Sequence, residues 1–258
     1  MSVPPGRWRS ERAQSTLEPP PFRQRCGYIL ATPAGGRTED ALRKLAVFDL
    51  DGTLHDSSAA LTPALSMAMS EVGVEPPDGA SIESLYGQPL EILLPALVPD
   101  PSLRPAFREA LVRIQTRTVQ ESGRAYPGVP GMLSELRAAG WRTAVCSNAG
   151  RAYVVMVLEA LGISGLLDRA EGLGGNRSKA GSLRALIEAE SPCFAVMTGD
   201  RYLDFEAARE NRIPSIGCTW GFGEASELLQ ADMVADSPGI LPGLMEDLQK
   251  RGLSLRSG

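Results

Sequence analysis

Asp49-Leu50-Asp51-Gly52-Thr53 follows directly on the apolar run Leu45-Ala46-Val47-Phe48. Side chains in a strand alternate faces, so residues i and i+2 point the same way. A strand ending here sends two carboxylates, Asp49 and Asp51, into one space, with a turn glycine and a hydroxyl just behind. Two like charges held that close repel unless a proton or a cation intervenes. Mg²⁺ suits the position, because it takes oxygen ligands and pairs one or two carboxylates with phosphate. A solvated Asp-Gly turn is the competing reading of the same residues.

Two later segments repeat the pattern of polar groups behind an apolar run, and a lone lysine joins them. Ser147-Asn148 follows Ala144-Val145-Cys146. Ser147 reads either as the N-cap of a helix from Ala149 or as part of an anion site at that helix's N-terminus. Gly199-Asp200 follows Phe194–Thr198, with Asp204 four residues on. A helix from about Tyr202 would put Asp204 in its first turn, within reach of a cation held by Asp200. The alternative is a helix cap at Asp200, with Asp204 favouring the positive helix end. Lys179 is one of only three lysines among 26 basic residues. It opens a helix, where a cation opposes the macrodipole, so a nearby anion would account for it. His55 is the only histidine, which excludes a multi-histidine metal site. It reads as a partly exposed turn residue, with substrate contact as the alternative.

These residues need strands that end together. Strands are expected at Leu45–Leu50, Arg142–Ser147, Phe194–Gly199, Pro214–Thr219 and Met233–Ala235. Helices are expected at Ala149–Leu161, Lys179–Glu190, Leu203–Asn211 and Gly239–Lys250. Alternation of this kind points to an α/β, Rossmann-like parallel sheet with helices on both faces. Ligands of such sheets bind beyond the carboxyl ends of the strands. Residues 57–125 break the rhythm. Ala59–Val72 and Pro105–Val119 carry helical stripes and no strand lies between them, so a small all-helical cap is expected after the first strand. The core is then 44–56 with 126–258. An insert there would cover the crevice as a lid, and Arg104, Arg108, Arg113, Arg117 and Arg124 on it could offer a charge to a substrate carboxylate.

At 258 residues the chain suits one large domain or a domain with an insertion. Net charge of −5 gives no electrostatic footprint for nucleic acid. No apolar run approaches the roughly eighteen residues of a membrane span. Residues 1–43 hold Pro4, Pro5, Pro19, Pro20, Pro21 and Pro33 with six arginines before Asp40, a composition that suits a flexible arm. Four scattered cysteines without a C-x-x-C pair read as free thiols of a cytoplasmic protein.

Together the polar segments resemble the four motifs of the haloacid dehalogenase-like superfamily, in its phosphatase branch. The motifs are Asp49-Leu50-Asp51-Gly52-Thr53, Ser147-Asn148, Lys179, and Gly199-Asp200-Arg201-Tyr202-Leu203-Asp204. Glu206-Ala207-Ala208, Ser215-Ile216-Gly217 and Trp220-Gly221-Phe222-Gly223 look most like phosphoglycolate phosphatases and related small-phosphate hydrolases. Ala180-Gly181 departs from the proline that often follows the third-motif lysine there, and Arg177 is a nearby competitor for its charge.

The resemblance implies Mg²⁺-dependent hydrolysis of a small phosphorylated metabolite through an aspartyl-phosphate. Asp49 would be the nucleophile and Asp51 the acid/base, with Thr53 fixing the turn that aims Asp51. Gly52, Ser147, Asn148 and Lys179 would bind the phosphoryl group. Asp49, the main-chain carbonyl of Asp51, and Asp200 would hold Mg²⁺, supported by Asp204. A phosphoglycolate-like substrate is the first expectation. A nucleotidase or pyrophosphatase stays open, and a phosphosugar mutase shares all four motifs. A receiver-type phospho-accepting signalling module, from another class, is opposed by Asp51 and by the long insert.

Overall fold

The computed structural model describes residues 43–173 and 178–254. The expectations for the first 42 residues and for Arg177 lie outside the described residues.

Leu45, Ala46, Val47 and Phe48 are all fully buried, as befits a strand covered on both faces. They form β1 (Lys44–Phe48), which pairs in parallel with β2 (Trp141–Gly150) and β4 (Phe194–Gly199). With β3 (Arg169–Leu173), β5 (Ser215–Cys218) and β6 (Met233–Ala235), the parallel sheet runs β3-β2-β1-β4-β5-β6. Alternation sends Leu45 and Val47 to one face, against Leu183 and Leu186 of α7 (Lys179–Glu190) and Ala207 and Ala208 of α8 (Tyr202–Glu210). Ala46 and Phe48 join the other core. It contains Leu133 and Leu136 of α5 (Val129–Ala138) and Met245 and Leu248 of α10 (Leu241–Ser254).

The winding of the sheet reverses between β1 and β4. Open α/β sheets bind ligands at such a point, beyond the strands' carboxyl ends. Phe48 is in register with both Val145 and Thr198, and the Asp49 N–H donates to the Thr198 carbonyl at 2.8 Å. The residues that follow Phe48, Val145 and Thr198 therefore emerge side by side.

Between β1 and β2 the chain forms α1 (Ser58–Glu71), α2 (Gly79–Glu83), α3 (Leu90–Leu97) and α4 (Arg104–Ser122). Ala64, Leu65 and Met69 of α1 and Phe107, Leu111 and Ile114 of α4 share a core separate from those of the sheet. The insert's two connections run together, with Asp56 N–H to Arg124 O at 3.0 Å and Tyr126 N–H to Leu54 O at 3.0 Å.

Several elements depart from expectation. The strand β3 was absent from it, since Arg169 and Glu171 interrupt any apolar run and β3 is an edge strand. Helix α5 was also absent, although Val129, Met132, Leu133 and Leu136 are buried at helical spacing. So were α2, α3 and the short α9 (Ala225–Leu228). Pairing of Gly150 with Leu173 of β3 keeps the chain extended past Ser147. As a result α6 spans Arg151–Ala160 and its N-cap is Gly150, which overturns the N-cap reading of Ser147.

Candidate active site

Asp49 lies immediately after β1, and Asp200 immediately after β4. Asp204 sits in the first turn of α8, whose N-cap is Arg201 rather than Asp200, and its Oδ2 accepts from the Arg201 N–H at 3.0 Å. Strand adjacency brings the three together. One carboxylate oxygen from each lies within 4.8 Å of the others, and all three residues are buried.

Lys179, the first residue of α7, enters this cluster. Its Nζ donates to Asp49 Oδ1 at 2.6 Å and is ion-paired with Asp204 Oδ1. The anions that account for a lysine at this helix N-terminus are thus the protein's own carboxylates. Burial alone would push the Lys179 amine down, but Asp204 and Asp49 outweigh it and raise its pKa. Asp49 is raised well above the usual carboxylate range, by burial first and by Asp204 and Asp200, against the pull of Lys179. Asp200 is pushed up to about 7 by burial and then by Asp204, opposed by the Phe222 N–H that it accepts at 2.7 Å.

These carboxylates fit a divalent cation. Ionised together they place three negative charges against the one ammonium bonded to them, in a space that water does not screen. Mg²⁺ would supply the missing charge to Asp49, Asp200 and Asp204. The backbone is cut close around them. Gly52 has φ +87°, and a Cβ there would sit 2.3 Å from Asp200 Oδ2, so a side chain is excluded by conformation and by space alike. Thr53 Oγ1 reaches Asp200 Oδ1 at 3.4 Å. Its hydroxyl therefore supports the acid cluster, where the expectation had it aim Asp51.

The carboxylate of Asp51 stands apart from the cluster, so a metal contact from this residue would fall to its main chain. Its Oδ1 is 2.8 Å from His55 Nδ1 and accepts from the Tyr153 hydroxyl at 3.0 Å. His55 is fully buried, not the partly exposed turn residue expected. It is bridged to Asp51 on one side and to Ala125 on the other. His55 Nε2 has no hydrogen-bond partner among the described residues, so a proton on Nδ1 is the one that finds an acceptor. Burial, followed by the neighbouring Asp51, raises the Tyr153 phenol far above its usual range and keeps it a donor. Neither partner of Asp51 was singled out for that role from sequence. Tyr153 lies on α6, 102 residues away, and only its membership of an apolar helical stripe was visible.

Ser147 is buried beside Asp49 and Asp51 in one cavity, and its Oγ accepts from the Ala149 N–H at 3.1 Å. Asn148 turns its amide N–H to the Gly87 carbonyl at 2.7 Å, so it ties the insert to the sheet. Around the same loop, Arg201 donates to the Tyr86 carbonyl, Gln88 Nε2 to the Tyr202 hydroxyl at 2.8 Å, and Tyr86 meets Phe222 edge-on. Of the arginines on the insert, Arg108 lines the cavity but is ion-paired with Glu91. Arg104 is held by the Val98 carbonyl, Arg113 by Glu71 and Arg124 by Asp56.

A family model described as haloacid dehalogenase-like hydrolase matches residues 46–218. A phosphoglycolate phosphatase of Agrobacterium fabrum is 29% identical over 229 residues, covering 83% of this chain and 98% of that protein. One from Vibrio vulnificus is 31% identical over 212 residues, covering 75% of this chain and 92% of that protein. Among solved structures, a haloacid dehalogenase-like family hydrolase from Streptococcus pneumoniae has a TM-score of 0.71 at 25% identity. That likeness covers 79% of this chain and 98% of the other.

Proposed function

From a chain that belongs to the haloacid dehalogenase-like hydrolases and is a phosphatase among them, we propose Mg²⁺-dependent hydrolysis of a small-metabolite phosphomonoester through a phosphorylated Asp49. The observation that carries this reading is the buried Asp49–Lys179–Asp204 contact beside Asp200, with Asp51 held separately by His55 and Tyr153.

Lys179 occupies one oxygen of Asp49 and restrains its rotation, so the other oxygen attacks phosphorus. The bond from Asp49 to phosphorus forms as the ester bond to the leaving oxygen breaks. Asp51 gives its proton to that oxygen. Its Oδ1 is engaged by His55 and Tyr153, which leaves Oδ2 to carry the proton. Asp51 then takes a proton from water, and the resulting hydroxide cleaves the acyl-phosphate, releasing phosphate and restoring Asp49. Ser147, Lys179 and the main chain at Gly52 bind phosphoryl oxygens, on which the transition state spreads charge. Asp49, Asp200, Asp204 and the Asp51 carbonyl would hold Mg²⁺, which would supply neutralisation of the phosphate charge against the anionic nucleophile.

The test is phosphate release from p-nitrophenyl phosphate, with and without Mg²⁺, by the parent and by Asp49→Asn. The variant should lose about 10⁴-fold or more in kcat, and chelation should silence the parent. Equal rates in parent and variant would refute the reading. A panel of natural phosphomonoesters, with phosphoglycolate first on account of the relatives' names, then ranks substrates. Isomerisation of a hexose 1-phosphate without free phosphate would point to a mutase.

A further inference from the structure

Asp49, Asp51 and Ser147 open into a cavity of about 380 Å³ that runs up under the helical insert. That is room for about a dozen waters at about 30 Å³ each, and it falls within the range of about 300–1,000 Å³ that encloses whole small molecules. A phosphoryl group at the strand ends fills only the part nearest Asp49. The remainder must take the leaving group.

The walls of that remainder are hydrocarbon. Leu61 and Leu65 of α1, Leu90 and Leu93 of α3, and Leu111 and Val112 of α4 face it. The polar side chains along it are mostly committed to the protein. Arg108 is paired with Glu91, Asn148 donates to the Gly87 carbonyl, and Gln88 donates to the Tyr202 hydroxyl. The Tyr86 hydroxyl shares a 2.7 Å hydrogen bond with Thr62. A carboxylate or a run of hydroxyls entering here would exchange water for few partners, chiefly Gln115 and the amide oxygens of Gln88 and Asn148, which is unfavourable. An apolar body gives up nothing of the kind and gains by leaving water.

We infer that the substrate of this site is a phosphomonoester whose leaving alcohol has a hydrocarbon body, alkyl or aryl, and is neither carboxylate-bearing nor polyhydroxylated. The inference rests on the phosphatase reading above and narrows it to a substrate class. Binding energy from the apolar part is spent at the reacting phosphorus, so the preference shows in kcat/KM.

The experiment compares kcat/KM, in the presence of Mg²⁺, for methyl, butyl and hexyl phosphate, phosphoglycolate and a hexose phosphate. Straight-chain alcohols leave with nearly the same chemistry, so the series isolates apolar contact. The expected rise is about fourfold per methylene until the cavity is full, with hexyl phosphate at least about tenfold above phosphoglycolate. Leu93→Gln and the more exposed Val112→Gln should each flatten that rise. Phosphoglycolate or the hexose phosphate matching hexyl phosphate would overturn the inference while leaving the phosphatase reading standing. No phosphate released from any member by correctly folded protein would remove the phosphatase reading and the inference with it. An unchanged slope in the well-folded Val112→Gln variant would also count against the assigned wall.

Discussion

The cavity has two unlike surfaces. The sheet side is polar and charged, lined by Asp49, Asp51 and Ser147, and the groups there and behind them are held in fixed contacts: Lys179 with Asp49 and Asp204, Asp51 with His55 and Tyr153, and Asp200 with the Phe222 N–H. The helical side presents mainly leucines, and its one lining arginine is neutralised by Glu91. Buried charges hold position only when every partner is present, so the sheet side tolerates little change. Apolar contact is non-directional and scales with area, so the helical side can vary in shape without disturbing the chemistry. On the proposed function, reaction and substrate choice then fall to different parts of the chain.

The most severe way to break that division is Lys179→Met. It leaves Asp49 and Asp204 buried without their cation, which should cost about 3–5 kcal/mol of stability and lower kcat by about 10³-fold. Thermal melts alongside kinetics check both. A variant that melts like the parent would show that the sheet side is less tightly coupled than its contacts imply.

His55→Leu tests a single partner of Asp51. The expected loss is about tenfold to a hundredfold in kcat, within the range of general acid–base contributions, with KM nearly unchanged. His55→Asn, whose amide can still donate toward Asp51, should recover part of it. Equal loss in both variants would reduce His55 to a packing residue.

Mg²⁺ and pH probe the acid cluster directly. Asp200 has a folded pKa of about 7 against a usual 3.8. Between those values the folded chain holds a proton that the unfolded chain has lost, so stability without metal falls as pH climbs through that window. A cation replaces the proton. Mg²⁺ should therefore raise the melting temperature more at pH 8 than at pH 5, where protonation competes with it. Equal shifts at the two pH values would contradict the assignment.

The mildest change, Asn148→Ala, removes the link between the two surfaces at Gly87. About 1 kcal/mol of stability and a fewfold rise in KM are expected, with kcat largely kept. A loss confined to kcat would place Asn148 with the chemistry of the sheet side.

The parallel alternation and the strand ends at Asp49 and Asp200 were readable because strand periodicity and apolar runs are local signals. Lys179 stood out by its scarcity among the basic residues. The edge strand β3 was hidden by Arg169 and Glu171, since an edge needs no continuous apolar run. Its pairing then carried β2 on to Gly150 and displaced the helix start expected at Ala149. His55 was misread because its neighbours in sequence belong to a turn, whereas its strand-like contact comes from Ala125, at the far end of the insert.

The sequence by itself determined which polar residue types stand behind the apolar runs of the parallel sheet, because these follow from residue type and from periodicities of two and 3.6. The tertiary structure alone decided which oxygens are engaged, that Asp51 is held by a histidine and a tyrosine, and that the cavity beside Asp49 is walled with leucine. Those depend on contacts such as His55–Ala125 and Tyr153–Asp51. They join segments far apart in the chain, where only packing of the whole fold sets the distance.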